Sequence, residues 1–152
     1  MKKSARGFTL IEILVVIGII AILAGIVLVA INPARQFRQA NDSQRTSNVN
    51  AILNAVGQRI ADNRGAFNGL TGCTVAIPAT AREIVVEADA GNVDANTEFN
   101  VACLTPTYLP SIPFDPSTGT ASSTKYNIVQ DSNGRITVSA VGQETTPITV
   151  TR

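Results

Sequence analysis

A single carboxylate stands inside a long apolar stretch near the start of the chain. The stretch runs from Phe8 to Ile31, and Glu12 is its only charged residue. As a helix of about 24 residues it would be roughly 36 Å long, which is enough to cross a bilayer. An ionised carboxylate inside a membrane costs about 3 kcal/mol and usually has a positive partner. Glu12 therefore either pairs with a cation or, four residues inside the apolar boundary, extends its carboxylate to the membrane surface.

The remaining residues offer little catalytic chemistry. The chain has 152 residues and no His, which removes Ser-His-Asp and Cys-His catalysis and the commonest zinc and haem ligand sets. Its formal net charge is +1, so a general electrostatic attraction to nucleic acid is not expected. We predict a protein that is not an enzyme and that has no catalytic residue, cofactor or nucleic-acid partner.

Two cysteines, Cys73 and Cys103, are the only ones in the sequence. Their separation fits no zinc or CxxC pattern, and an exported domain allows a disulfide to form. A bridge would close a loop of about 30 residues and stabilise the folded domain by roughly 3.6 kcal/mol in the chain-entropy model. Two buried free thiols are the alternative. We predict the disulfide.

The apolar stretch itself is interpreted as an uncleaved membrane anchor. Hydrophobic regions of secretory signal peptides are shorter, about 7–15 residues, and cleavage after Ala30 would leave the bulky Leu28 at position −3. Good helix formers follow Asn32-Pro33, so the pattern favours a bend near Pro33 rather than a stop. The sequence Asn63-Arg64-Gly65 then predicts the end of the helix, after Asp62.

The second half of this helix carries an apolar stripe that requires a partner. Its members follow helical spacing: Val49, Ile52, Leu53, Val56 and Ile60. Between Gln39 and Asn48 almost every residue is polar, so this part is either solvated or packed against other polar surface. Asp42 lies four residues after Arg38 and three before Arg45, a spacing that predicts weak local ion pairs.

The end of the chain predicts a small antiparallel sheet. Two β-prone segments, 125–130 and 135–140, are joined by the turn sequence 131–134, and 148–151 is a candidate third strand. Segment 65–124 has weak periodicity, and residues 82–90 could form a helix or a strand. The predicted fold class is α+β: a long N-terminal spine helix, membrane-spanning in its first half, packed on a small antiparallel β-sheet head.

The residues around Glu12 resemble a known leader. A segment with three basic residues, 2–6 (Lys-Lys-Ser-Ala-Arg), precedes Gly7-Phe8-Thr9-Leu10-Ile11-Glu12 and the apolar helix. This order resembles the class III leader of type IV pilins and type II secretion pseudopilins. The resemblance implies that a membrane-embedded prepilin peptidase cuts between Gly7 and Phe8 and methylates the Phe8 amine. The predicted divisions are a leader (1–7), a membrane and filament-core helix (8–32), its amphipathic continuation (33–64) and an extracytoplasmic head (65–152).

The same resemblance implies a structural function. Cleavage would create an amine at Phe8 that could pair with Glu12 of a neighbouring subunit, which in the family sets register within a helical polymer. The implied partners are other pilin-like subunits, the prepilin peptidase, the membrane and an assembly platform with its ATPase. The implied location is the inner membrane, N-terminus cytoplasmic and head outside, and then an extracellular or periplasmic fibre, either a type IV pilus (fimbrium) or a secretion pseudopilus. The alternative is a permanently anchored extracytoplasmic binding domain that does not polymerise.

Resemblance towards the C-terminus is looser. Segment 108–116 looks like the approach to the sheet in major pseudopilins, but the calcium loop of those proteins is not recognisable in 142–147. Many major pilins have a Pro where this chain has Val29, and its nearest equivalent is Pro33. Asp131 and Asn133 before Gly134 are interpreted as a turn. No metal site is predicted.

Overall fold

The computed structural model describes residues 7–69, 73–87 and 93–152. The chain divides into two units, one ending at Phe37 and the other beginning at Arg38. In chain order the elements are α1 (Leu10–Ile31), α2 (Pro33–Asp62), β1 (Arg82–Val85), β2 (Glu98–Asn100), a 3-10 helix (Ala102–Leu104), β3 (Ser123–Gln130), β4 (Ile136–Ala140) and β5 (Ile148–Thr151). The α+β prediction of an N-terminal apolar spine helix and a β head is confirmed.

Helix α1 consists mainly of aliphatic side chains and buries none of its residues. Its 22 residues span about 33 Å at 1.5 Å per residue. Within the described part of the chain it is the one helix whose length and composition would allow it to cross a membrane. It ends at Ile31, and the next residue, Asn32, has a left-handed φ of 45°. The backbone and side-chain oxygens of Asn32 accept hydrogen bonds from the Arg35 N–H, at 3.1 and 3.4 Å. The continuous helix expected from the sequence is therefore two helices separated by one residue.

Helix α2 packs its predicted stripe into the head. Val49, Ile52, Leu53 and Val56 are buried and Ile60 packs partly buried beside them. The predicted C-terminal stop is also confirmed. The helix ends at Asp62, and the Gly65 N–H donates to the Ile60 carbonyl at 2.8 Å.

The sheet has five strands in the order β2-β1-β3-β4-β5. The predicted hairpin is β3 and β4, which pair antiparallel from Tyr126 opposite Ala140 to Gln130 opposite Ile136, and the predicted third strand is β5. Strand β2 was not expected, and β1 lies in the segment that the sequence left open between a helix and a strand. They pair in parallel with one another, and β1 is antiparallel to β3. Of the undecided segment 82–90, the structure forms a strand at Arg82–Val85, and residues 88–92 lie outside the described part.

The core lies between the α2 stripe and one face of the sheet. The sheet contributes buried side chains from alternate positions, among them Ile84, Tyr126, Ile128 and Val138. Cys73 and Cys103 are joined by a disulfide with Cα atoms 5.5 Å apart, as the sequence predicts. The bond ties the segment that follows α2 to the 3-10 helix after β2.

Candidate functional site

The segment that precedes α1 holds the predicted processing and assembly residues. Gly7 and Phe8 lie before the first helical residue, and Phe8 is 85% exposed. Thr9 has extended backbone angles and caps the helix. Glu12 Oε2 accepts hydrogen bonds from the Thr9 N–H at 2.8 Å and the Thr9 hydroxyl at 2.7 Å, and the Glu12 N–H donates to Thr9 Oγ1 at 3.3 Å. The two residues therefore form a capping box.

This capping box engages one oxygen of the Glu12 carboxylate and leaves the other oxygen without a bond to a described residue. Both Thr9 donors bond to Oε2, whereas no donor from the described residues bonds to Glu12 Oε1. The side chain thus satisfies the helix N-terminus and retains an acceptor for a cation. Thr9 was missed as a positioning residue, although the spacing Thr-x-x-Glu before an apolar run is the sequence signal of a capping box.

The head contains a buried ionic cluster that the sequence did not predict. Three consecutive backbone N–H groups, those of Gln143, Glu144 and Thr145, donate to the Asp42 carboxylate at 2.8, 2.7 and 2.9 Å. Asp42 lies on α2, and its three donors lie in the connection between β4 and β5. Burial alone would raise the pKa of Asp42, but these N–H groups and Arg45 hold that pKa well below its usual range.

Arg45 joins Asp42 to a second buried carboxylate, Asp115. Its Nη1 donates to Asp42 at 2.7 Å, and its Nε and Nη2 donate to the two oxygens of Asp115 at 2.6 and 3.2 Å. The N–H groups of Ser117 and Thr118 add two bonds to Asp115 at 2.8 and 2.9 Å. Burial works to raise the pKa of Asp115, yet these donors lower it to about 2. Arg45 is only 2% exposed, so the cluster is a desolvated ion triad.

This cluster decides between the two interpretations of the polar part of α2. That part packs against polar loops rather than being wholly solvated. The expected weak pairing of Asp42 is corrected in two respects: its bond to Arg45 is buried, and Arg38 pairs with Glu144 at 2.5 Å instead. Both carboxylates are held ionised near neutral pH, which makes them structural anchors rather than proton donors.

The sequence-predicted site residues fall into separate places. Gly7, Phe8 and Glu12 share the segment at the start of α1, while Cys73 and Cys103 lie in the head. The carboxylate of Asp131 accepts hydrogen bonds from the N–H groups of Asn133 and Arg135 at 2.9 and 2.8 Å, so it closes the β3–β4 turn. Within the described residues, no group of three or more Cys, Asp or Glu is arranged to hold a metal ion.

Comparison with known families identifies the N-terminal segment. Residues 2–28 match the family model described as the prokaryotic N-terminal methylation motif. No curated protein and no solved structure matches the chain. The chain therefore carries the class III prepilin leader typical of type IV pilins and pseudopilins, which confirms the resemblance. This motif supports a pilin-like or pseudopilin structural subunit, and α1 has the length and composition that fit an N-terminal membrane anchor.

Proposed function

We propose that the chain is cut between Gly7 and Phe8, methylated at the Phe8 amine, and assembled into a type IV pilus or a type II secretion pseudopilus. The observation that carries this proposal is the match of residues 2–28 to the methylation motif. In the assembled fibre, Glu12 of one subunit pairs with the Phe8 amine of its neighbour. The prepilin peptidase, an assembly platform and its ATPase are the corresponding partners.

The surface of α1 supports assembly. None of its residues is buried within its own chain, and its large aliphatic side chains are half or more exposed. Such a surface requires lipid while the subunit is in the membrane. After extraction from lipid, it requires the apolar surfaces of other subunits, because exposed aliphatic area in water is unfavourable.

The charges near α1 support both processing and pairing. Removal of residues 1–7 deletes Lys2, Lys3 and Arg6 and creates an amine at Phe8, at the apolar boundary. That amine is a hydrogen-bond donor that fits the acceptor left at Glu12 Oε1. Before cleavage, the basic leader favours a cytoplasmic N-terminus by the positive-inside rule. The head then lies outside the membrane, where a disulfide is stable.

A second candidate function is supported by the capping box. Because Thr9 satisfies part of the Glu12 carboxylate within one chain, Glu12 also suits a permanently anchored binding domain that never polymerises. The two functions differ in processing, in polymer formation and in the consequence of losing the Glu12 charge.

Glu12→Gln tests the proposal in cells that contain the peptidase and assembly system. The amide keeps the size of the side chain but removes its charge, so the neighbour's amine would lose its counter-ion. We expect membrane insertion and an intact mass for a chain that starts at Phe8 with one added methyl group, but few fibres after shearing. Glu12→Leu should behave similarly, and the control Glu144→Gln should give normal fibres. Normal fibre yield in both Glu12 variants would contradict the pairing, and an uncleaved chain without polymer would support the anchored domain.

A further inference from the structure

A small cavity lies in the head beside the parallel strands β1 and β2. Its volume is about 110 Å³. Most of the side chains that line it are apolar or small: Cys73, Val75, Val93, Ala95 and Phe99. The disulfide of Cys73 ties one part of this lining to the 3-10 helix after β2, so a covalent bond holds that wall in place.

Arg82, at the start of β1, also lines the cavity and carries a buried donor that is not used. Its Nε has no hydrogen-bond acceptor, and no other buried side-chain nitrogen or oxygen of the described residues lacks a partner. By contrast, Arg45 bonds to two carboxylates and Arg59 donates to two backbone carbonyls. A buried donor without an acceptor costs free energy, so such groups normally bond to protein, to water or to a bound molecule.

Arg82 shares a face of the sheet with an apolar wall of the cavity. Side chains alternate along a strand, so Arg82 and Ile84 lie on one face. Ile84 is the register partner of Phe99 on β2, and both are buried. Glu98 also borders the cavity, but it is the register partner of Glu83, which places its side chain on the other face. The face that carries Arg82 therefore offers a cation beside apolar side chains and no carboxylate from β1 or β2.

The remaining polar groups that line the cavity do not compensate Arg82. The side-chain amide of Asn100 donates to the Glu87 carbonyl at 2.9 Å, so it is already bonded. Thr74 supplies an exposed hydroxyl. A buried water needs roughly two to four polar partners, whereas most of this lining is apolar. The cavity therefore suits an acceptor that is attached to an apolar group.

One negative charge lies near Arg82 without lining the cavity. The pKa of Asp94 is lowered chiefly by the Asn96 N–H, and the charge of Arg82 makes the smallest contribution. The Asp94 carboxylate is bonded to the Asn96 N–H at 3.0 Å and to the Thr97 hydroxyl at 2.9 Å. Because it adds negative potential near Arg82, a ligand with one negative charge is favoured over a ligand with two.

An exposed apolar side chain forms part of the cavity wall. Val75 is 59% exposed and lines the cavity. The other large apolar side chains that are exposed in the described part of the head, Phe114 and Val141, do not line it. A short alkyl chain bound in the cavity would cover Val75 and remove apolar surface from water, which favours binding.

We propose that this cavity binds a short-chain monocarboxylate. The carboxylate accepts a hydrogen bond from Arg82 Nε, and the alkyl chain packs against Val75 and Phe99. A cavity of about 150 Å³ holds benzene, so the smaller volume here suits propionate or butyrate. The site does not depend on the proposed fibre assembly, since none of its lining residues lies in α1.

Titration calorimetry on the full chain in detergent micelles tests this site. We expect saturable binding of butyrate, with affinity rising about 4-fold for each methylene from acetate through propionate to butyrate, because each methylene is removed from water. Butyramide has nearly the same shape without the charge, and it should bind at least roughly 10-fold more weakly than butyrate. Succinate should also bind more weakly, because its second carboxylate would meet the apolar wall and the charge of Asp94.

Two variants, each with a matched control, locate the site. Arg82→Gln should weaken butyrate binding at least roughly 10-fold, whereas Arg135→Gln, which removes an exposed partner of Asp131, should leave it unchanged. Val75→Ser should weaken butyrate binding more than acetate binding, because the longer chain loses its apolar contact. Its control is Val141→Ser, at an exposed valine that does not line the cavity.

Three results would overturn the proposal. The first is no saturable binding of acetate, propionate or butyrate to the wild-type chain, which would mean that water alone satisfies Arg82. The others are equal binding of butyrate and butyramide, and unchanged butyrate binding in Arg82→Gln. Weaker binding by a variant counts for the proposal only if the variant retains the tyrosine near-ultraviolet circular dichroism of the folded head. If Arg82→Gln does not fold, the comparison of butyrate with butyramide on the wild-type chain decides.

Discussion

Replacing Arg45 with Met is expected to destabilise the head by about 3 kcal/mol. Methionine fills most of the volume of the arginine stem but removes the charge and all four side-chain hydrogen bonds, which reach Asp42, Asp115 and Ser117. Removing one partner of a buried ionic group costs about 3–5 kcal/mol because the remaining charges lose their counter-ion. Five backbone N–H groups still bond to the two carboxylates. The expected loss therefore lies at the lower end of that range.

The assay is urea unfolding of the full chain in detergent, followed by tyrosine fluorescence. The chain has no Trp and two Tyr, and Tyr126 is fully buried and hydrogen-bonded to Asn48 at 2.9 Å. Its emission reports directly on unfolding of the head. The free energy of unfolding in water, obtained by linear extrapolation, is the quantity compared.

Arg135→Met is the matched control. Arg135 forms an exposed ion pair with Asp131 at 2.9 Å, and pairs of that kind contribute less than about 1 kcal/mol. If Arg45→Met lowered the free energy of unfolding no more than Arg135→Met does, burial would not make the ion triad more stabilising than an exposed ion pair. The reasoning given for Arg45 would then be refuted.

Two further predictions concern the disulfide and acid stability. Non-reducing peptide mapping should recover the fragments of Cys73 and Cys103 together, and free thiols in protein isolated under alkylation would contradict this. The double variant Cys73→Ser, Cys103→Ser should lower the free energy of unfolding by about 3.6 kcal/mol, the value for a separation of 30 residues. Asp115 has a pKa of about 2 in the folded protein, against a usual pKa of 3.8. Its bonds therefore stabilise the head above pH 4, and the free energy of unfolding should fall by about 2 kcal/mol as the pH is lowered from 4 to 2. Asp115→Asn should flatten that part of the pH profile, and an unchanged profile would show that other groups control acid unfolding.

Elements with strong periodicity could be predicted from the sequence. The apolar run of α1, the stripe centred on Ile52 and the alternation of β3 and β4 each express one structural period over enough residues to be recognised. The proposed processing and assembly residues, Gly7, Phe8 and Glu12, lie close together in the sequence. Their proposed roles depend on local order and not on contacts between distant segments.

Elements defined by distant contacts could not be predicted. Strands β1 and β2 have four and three residues, too few to show alternation, and they form because β3 supplies a neighbour for β1. The buried triad was missed for the same reason: Arg45 and Asp115 are 70 positions apart. Local spacing suggested only weak pairs of Asp42 with Arg38 and Arg45, whereas a tertiary contact gives Arg38 a different partner, Glu144.

The three hydrogen bonds from the β4–β5 connection to Asp42 have a consequence for the order of folding. Its three donors lie 101–103 positions further along the chain, and β5 consists of residues 148–151. Contacts of such high sequence separation slow folding, and a chain under synthesis cannot make them until its end has emerged. The polar part of α2 therefore lacks its loop partners until residues 143–145 have been made, whereas α1 is complete much earlier in synthesis. In the proposed membrane-anchored subunit, insertion of α1 would therefore precede completion of the head, and the chain would be tethered before its head is folded.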